Sequence, residues 1–336
     1  MGCVCSQENN QLELKNEFCH NQYDVEEKFQ TNKELFRCLT KLQAIIKGRF
    51  FRNNFQKELI KEEIITFKFI ETDKIEKKEL DELFEKYPPL NDGVEVEVLS
   101  PAEFSNKVIY YGEWDKENNV RHGRGIQIWS DGGKFMGCWK NNKACGKGVL
   151  KHSDGDIYEG DWVDDKPSGY GKYHHMDGTE YEGEWKDDKQ HGRGREVWPD
   201  GTSYEGEYVD GKKQGYGIFK WQDKSMYEGQ FYNSNIHGKG KYIFADGREY
   251  DGNWVNNKLH GKGQFKWPDG RVYTGDYIND KKEGKGLFEW PDGKKYNGEW
   301  KNGKQHGIGE FLNPNTNTWK KGIWEGGRRI QWLEEE

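Results

Sequence analysis

The 336-residue sequence contains no apolar run approaching the roughly 20 residues that a membrane-spanning helix needs. Its start has neither the basic opening nor the apolar core of a secretory signal. The six cysteines, Cys3, Cys5, Cys19, Cys38, Cys138 and Cys145, form no CxxC pair. Without a secretory signal they are expected to be reduced thiols of the cytosol. Hydrophobic residues make up 32% of the chain and the mean hydropathy is -1.15, both low for a globule of this length built on an aliphatic core. There is no Walker A loop, no HExxH, no GxSxG and no set of kinase motifs. No basic body is present either. Residues 1–109 carry 16 basic and 21 acidic residues, a net -5, which leaves -2 of the total -7 for the remainder. Nucleic acid is therefore not an expected partner.

What the chain does have is glycine, 43 residues, and tryptophan, 14, with only 8 prolines. That mixture points to short strands and tight turns rather than to disorder. The two residue types are arranged with a fixed period. An aromatic residue opens a glycine-centred cassette at Phe135, Tyr158, Tyr181, Tyr204, Tyr227, Tyr250, Tyr273 and Tyr296, always 23 residues apart. Such a period marks a linear array of small units, each stacked on its neighbours, rather than one globule around a cleft.

The unit is clearest at Tyr181-Glu182-Gly183-Glu184-Trp185, followed by His191-Gly192-Arg193-Gly194 and by Trp198-Pro199-Asp200-Gly201. Alternation in a strand points Tyr181, Gly183 and Trp185 to one face. A glycine between two rings leaves room for a ring from the adjoining strand. The second segment supplies a second strand, and Asp200-Gly201 reads as a two-residue turn requiring positive φ. Each unit is then one β-hairpin, and the aromatic and glycine rows are the core. At about 4.8 Å per strand, some 18 strands would extend roughly 85–90 Å. Repeated His122, His191, His237, His260 and His306 share one position of the unit, so they belong to turns rather than to a metal site. Paired acids such as Asp164-Asp165 and Asp187-Asp188 read as solvated turns. No GxG pair extends to a phosphate-binding GxGxxG.

These cassettes resemble MORN repeats, YxGxWxxxxxHGxGxxxxxxDG. Nine units are recognisable over 110–312, with a degenerate unit and C-terminal cap over 313–336 marked by Gly322, Trp324 and Gly326. The expected fold is mainly β, an elongated solenoid-like meander of hairpins. An aromatic groove is expected to dock an unidentified protein partner, with candidate residues Tyr158, Trp162, Tyr181, Trp185, Trp198, Tyr204, Tyr227, Tyr250, Trp254, Trp267, Tyr273, Trp290, Tyr296 and Trp300. Alternating Val94, Val96 and Val98, in a linker and cap segment over 88–109, are expected to cover the first edge of the sheet.

Residues 25–87 read as an α-helical segment ahead of the array. Leu35, Leu39, Leu42 and Ile46 recur near helical spacing. A second helix carrying Ile75, Leu80, Leu83 and Phe84 is expected to start near Thr72 or Asp73 and to stop before Pro88-Pro89. Between Leu42 and Phe55 the chain matches the IQ motif at Leu42, Gln43, Lys47, Gly48, Arg52 and Phe55. Leu42 and Phe55 serve as apolar anchors, Gly48 permits close approach, and Lys47 and Arg52 complement an acidic partner. Residues 28–61 hold nine basic and two acidic residues, the balance of a calmodulin-target helix. Calmodulin or a centrin-like protein is the expected partner. The same basic helix could also lie on an anionic membrane, from which calmodulin would lift it.

The first 24 residues read as a flexible tip. Met1-Gly2-Cys3-Val4-Cys5-Ser6 fits the pattern for N-myristoylation of Gly2. One acyl chain anchors a protein only marginally, and palmitoylation of Cys3 and Cys5 supplies the second signal. The tip is similar to the doubly acylated N-termini of Src-type kinases.

An IQ helix followed by MORN units resembles a family of ciliates and other protists. Some members are labelled phosphatidylinositol-4-phosphate 5-kinase-like, although no kinase domain is recognisable in this chain. The resemblance implies a non-enzymatic scaffold without cofactors, on the cytoplasmic face of a plasma or ciliary membrane or the cell cortex. A component of the ciliary axoneme and a phosphoinositide-linked regulatory protein are the alternatives.

Overall fold

A computed structural model describes residues 67–71 and 74–333. The acylation residues Gly2, Cys3 and Cys5, the motif from Leu42 to Phe55, and the proposed helix starts Thr72 and Asp73 lie outside the described residues. So do Glu334-Glu335-Glu336. The described residues form 23 strands and one helix, so the expected mainly β class, built from consecutive antiparallel hairpins, is what is found. They divide into two compact units. The first comprises 67–71, 74–235 and 240–247; the second comprises 236–239 and 248–333.

The hairpin follows from the chemistry of its own five-residue cassette. Strand Glu180–Lys186 pairs with Lys189–Val197, placing Gly183 opposite Gly194. With two bare backbones facing each other, the Tyr181 ring lies flat across both. A Cβ on Gly194 would sit 2.5 Å from Tyr181 Cζ, and one on Gly183 would sit 2.7 Å from its hydroxyl. The ring filling the gap thus comes from the same strand, two residues earlier, and not from the adjoining strand as expected. The ladder breaks register between Gly183 and Trp185. At this break the Tyr181 hydroxyl donates to the Glu184 carbonyl over 3.0 Å. The same bond recurs from Tyr158 to Asp161, from Tyr204 to Glu207, from Tyr250 to Asn253 and from Tyr273 to Asp276. Phe135 occupies the equivalent place with no hydroxyl to donate.

Trp185 then joins one hairpin to the previous one. Its indole N–H donates to the Gly171 carbonyl at 3.2 Å, as Trp139, Trp162 and Trp300 do to Gly125, Gly148 and Gly286. Tyr158 meets Trp162 and Trp185 edge to face, each at 5.2 Å. Such contacts run on through Tyr181, Tyr208, Tyr204, Phe231 and Tyr227 in the first unit. A second ladder runs from Trp254 and Tyr250 to Tyr296, Trp324 and Trp332 in the second. Each edge-to-face pair contributes about 0.5–1.5 kcal/mol beyond the area it buries. The core is therefore a file of rings, which is why so few aliphatic residues suffice.

The two turns of the unit exchange the roles expected of them. Asp187 and Asp188 both have positive φ, at 46° and 67°, the two-residue primed turn that suits strand twist. Of Asp200 and Gly201 only Gly201 has positive φ, at 83°. Trp198 N–H bonds Thr202 O and Gly201 N–H bonds Trp198 O, so this end is a longer loop closed by a glycine bulge.

The paired acids are also not uniformly solvated. The second residue of the primed turn reaches back 21 positions to the preceding unit. Asp165 Oδ1 accepts from Ala144 N–H at 2.7 Å and is buried. Asn142, Ser234, Asn257 and Asp280 accept from Arg121, Lys213, Ile236 and Leu259 N–H in the same way. At Asp188 the partner position is Pro167, which has no N–H, and Asp188 Oδ1 is buried without a hydrogen bond. Burial pushes this carboxyl up to about 7.

The array is closed at its start by chain that does not repeat. β1 (Phe67–Phe69) pairs with β3 (Ala102–Phe104), and β3 pairs with β4 (Ile109–Asp115). β2 (Val96–Val98) pairs with β4 through Val96–Asp115 and Val98–Glu113. Within the stretch read as helical, Phe67–Phe69 is therefore strand, since alternating Phe67 and Phe69 gain a ladder partner. Helix α1 is shorter than expected, Lys77–Lys86, with Glu76 at its N-cap. At the far end Thr318–Glu325 and Arg328–Trp332 form a last hairpin.

Two outcomes test this account. Tyr204→Phe removes one hydroxyl bond and should lower the first unit's unfolding free energy by about 1 kcal/mol, whereas Phe135→Tyr, which offers a hydroxyl to the Cys138 carbonyl, should raise it. Denaturant titration of both variants decides, and equal effects of like sign would refute the role given to the hydroxyl. For Asp188 the folded state binds the proton more tightly than the unfolded chain, whose carboxyl titrates near 3.9. Its stabilising contribution is complete below that pH and is lost as pH rises towards 7. Wild type should therefore gain stability on going from pH 8 to pH 5 relative to Asp188→Asn; matching pH profiles would contradict the orphaned carboxyl.

Candidate functional site

The aromatic residues that the repeat pattern singles out are core. Tyr158, Trp162, Tyr181, Trp185, Trp198, Tyr204, Tyr227, Tyr250, Trp254, Tyr273, Tyr296 and Trp300 are buried, and Trp267 and Trp290 are half-buried. The expected aromatic docking groove is corrected accordingly: these rings contact each other and the glycine backbones and have little surface to offer. What a partner can reach is the opposite face, carrying the residues between the motif positions.

In the first unit that face has two characters. Around the first two repeats its positions are apolar, including Tyr111, Ile126, Ile128, Met136 and Cys138. The apolar face of α1 sits on them through Leu80 and Leu83, joined by Ile75 and Tyr87 just outside its two ends. Arg124 locks the helix end. It donates to the Phe84 and Tyr87 carbonyls at 3.2 Å, stacks 4.3 Å from the Phe84 ring, and pairs with Glu113 at 2.7 Å. Cations at a helix C-terminus are favourable because the last carbonyls there lack intrahelical donors. Lys134–Glu79 and Lys86–Glu159 bridges flank the seat.

Beyond the helix the face turns polar. Each strand contributes one residue to a row running Glu159, Lys172, Glu182, Arg195, Glu205, Ile218 and Glu228, each opposite the next. Charge alternates along the row as far as Glu205, and Lys172 pairs with Glu182 at 3.0 Å. A neighbouring row holds the residue between the two glycines of each unit. It is Lys147, Arg193 or Lys239 in most units but an exposed tyrosine at Tyr170 and Tyr216. Tyr170 donates to Glu182 at 2.8 Å, and Tyr216 to Glu228. Between these tyrosines lies an open groove of ≈ 570 Å³, lined by Arg193, Arg195, Glu205, Glu207 and Ile218 over a glycine floor. Sequence reasoning did not single these residues out as a site. The available signal was a tyrosine where most other units carry lysine or arginine.

The strongly perturbed ionisable groups sit away from this groove. Lys213 and Glu196 are both almost fully buried and bonded at 2.8 Å, with Tyr208 donating to the same Glu196 oxygen at 3.0 Å. Burial pushes the Lys213 amine down, against the pull of Glu196. Lys282 lies 4.8–5.1 Å from the Trp267, Tyr273, Phe288 and Trp300 rings and is pushed down to about 7 by burial. Both are core cations over aromatic faces. The repeated histidines stand in the second strand, one residue before its positive-φ glycine, rather than in a turn; His122 meets Asp92 at 3.1 Å. Among the described residues no group of three or more His, Cys, Asp or Glu is placed to hold a metal. No described helix is long and apolar enough to cross a membrane.

The TCP10 domain of Danio rerio CPAP is 12% identical, covering 62% of this chain and 99% of that one, with a TM-score of 0.36. The SAS-4 TCP domain of Drosophila melanogaster, solved with a proline-rich motif of Ana2, is 12% identical over 52% of this chain and 81% of that one, with a TM-score of 0.26. Virginiamycin B lyase from Staphylococcus aureus reaches 13% identity over 70% and 84%, with a TM-score of 0.14. Likenesses this distant carry no functional argument. No curated protein matches. The MORN repeat model matches nine segments, 110–134, 135–157, 158–180, 181–203, 204–226, 227–247, 250–270, 273–295 and 296–318. These segments coincide with the hairpin units and cover more than half of the chain, which therefore belongs to the MORN-repeat family.

Proposed function

We propose that the protein is a non-enzymatic adaptor, held to the cytoplasmic face of a membrane by acylation of Gly2, Cys3 and Cys5. The segment with Leu42, Gln43, Lys47, Gly48, Arg52 and Phe55 recruits calmodulin or a centrin-like protein. The outer face of the array takes a protein partner. One observation carries this reading: the positions that repeat are closed in the core, and the positions that vary are open on the surface. A surface of that kind recognises rather than reacts. Helix α1, which follows that segment in the chain, is seated on the first two repeats. The array is nearly neutral, so attachment to an anionic membrane rests on the acyl chains and the basic segment 28–61 rather than on the repeats.

The two attachments are tested separately. Gly2→Ala should move the protein from the membrane to the soluble fraction of fractionated cells; retention in the pellet would remove the anchor. A Gln43→Ala, Lys47→Ala, Arg52→Ala variant should lose at least tenfold in calmodulin affinity by titration calorimetry, measured with and without calcium. Unchanged binding would remove the calmodulin assignment and leave the anchor standing.

A further inference from the structure

In some repeats the residue between the first glycine and the tryptophan position is registered against the second strand, whereas in others, as at Glu184, it is left out of the ladder by the register break. In the last repeat Glu299 stands opposite His306, and in another Glu207 stands opposite Gln214. Across the other units the two slots hold acids and amides in the first strand, and His, Ser, Gln or Glu in the second. In the second repeat both slots hold cysteine, and Cys138 lies directly opposite Cys145. The pair stands two rungs from the Asn141-Asn142 turn, with Lys140–Lys143 and Trp139–Ala144 between, and is the last rung before the register break between Gly137 and Cys138. Directly opposed residues of an antiparallel pair have Cα atoms about 4.5–5.5 Å apart and side chains on one face. Disulfides span Cα separations of about 4.4–6.8 Å. Both thiols are free, Cys138 buried and Cys145 half-buried. Both also pack in the apolar seat of α1, with Leu80, Leu83 and Tyr87.

We propose that Cys138 and Cys145 are a covalent modification site, a cross-strand dithiol that a small-molecule disulfide such as glutathione disulfide converts to an intramolecular disulfide beneath α1. The half-buried Cys145 thiolate attacks glutathione disulfide, forming a mixed disulfide and releasing one glutathione thiolate. The Cys138 thiolate then attacks the Cys145 sulfur, forming the Cys138–Cys145 bond and releasing the second glutathione thiolate. Two protein thiols lose two protons and two electrons; one glutathione disulfide is reduced to two glutathiones. Attack needs a thiolate, and burial pushes Cys145 up to about 11 and Cys138 upward as well. The docked helix therefore slows the exchange without altering the register that favours its product.

The experiment uses the full chain equilibrated at pH 8 with reduced and oxidised glutathione, then acid-quenched, alkylated and digested with trypsin. Cleavage after Lys140 and Lys143 places the two cysteines on separate peptides, so only their disulfide keeps them together. The linked-peptide yield against the glutathione ratio gives the pair's effective concentration, natively and in urea. We expect the native value to exceed the unfolded one at least tenfold, and the linked species to vanish in Cys145→Ser. A native value equal to or below that of the unfolded chain overturns the proposal, as does predominant linkage of Cys138 to Cys3, Cys5, Cys19 or Cys38.

Discussion

The structure depends on one contact, a tyrosine ring laid over two glycines that face each other across a hairpin. Remove either glycine and the ring has no bed, because a Cβ would overlap its outer atoms. Remove the ring and both backbones are left uncovered on the core side. The hydroxyl at the ring's tip then meets a carbonyl at the point where the ladder changes register. A packing solution and a polar requirement are met by the same side chain. Phe135 shows that the packing half alone is enough for a unit to form, while Trp185 and its counterparts transmit the arrangement to the preceding hairpin.

Much of this was legible because the period is strict and the cassette chemistry is local. Tyr181, Gly183 and Trp185 share a face for reasons that a strand's alternation supplies by itself. Which turn is tight was not legible in the same way. Asp-Gly at 200–201 is a strong hairpin signal, yet Trp198 and Thr202 bond around it and lengthen the loop. Asp187-Asp188, read as solvated acids, takes the two-residue turn because aspartate tolerates positive φ. Its second carboxylate faces the preceding unit, 21 residues back, and a reading within one unit does not see that distance. The same limit hid the consequence of Pro167, harmless in its own strand and costly to Asp188 in the next repeat.

The seat of α1 was written in the sequence but at positions that the repeat consensus treats as free. Tyr111, Ile126, Met136 and Cys138 occupy slots that hold charge later in the array. Taken alone each is an ordinary exception; together they mark a face that must be covered. The expectation that the aromatics formed a groove erred for the opposite reason. It gave the most conspicuous residues to the partner, although residues recurring in every unit are those that every unit needs in order to fold.

That division bears directly on recognition. The Tyr and Trp positions accept only another ring, as at Phe135, Tyr208, Phe231 and Tyr277, and the facing glycines accept no Cβ, so variation that tunes binding is confined to the outer rows. There the first unit presents Tyr170 and Tyr216 two repeats apart, with Arg193 between them and a glycine floor beneath. The first two repeats present no such surface, because α1 already occupies it. The outer face that remains open in the first unit is therefore the stretch beyond the helix. Movement of α1 would bare Cys138 and Cys145 together with the apolar slots around them.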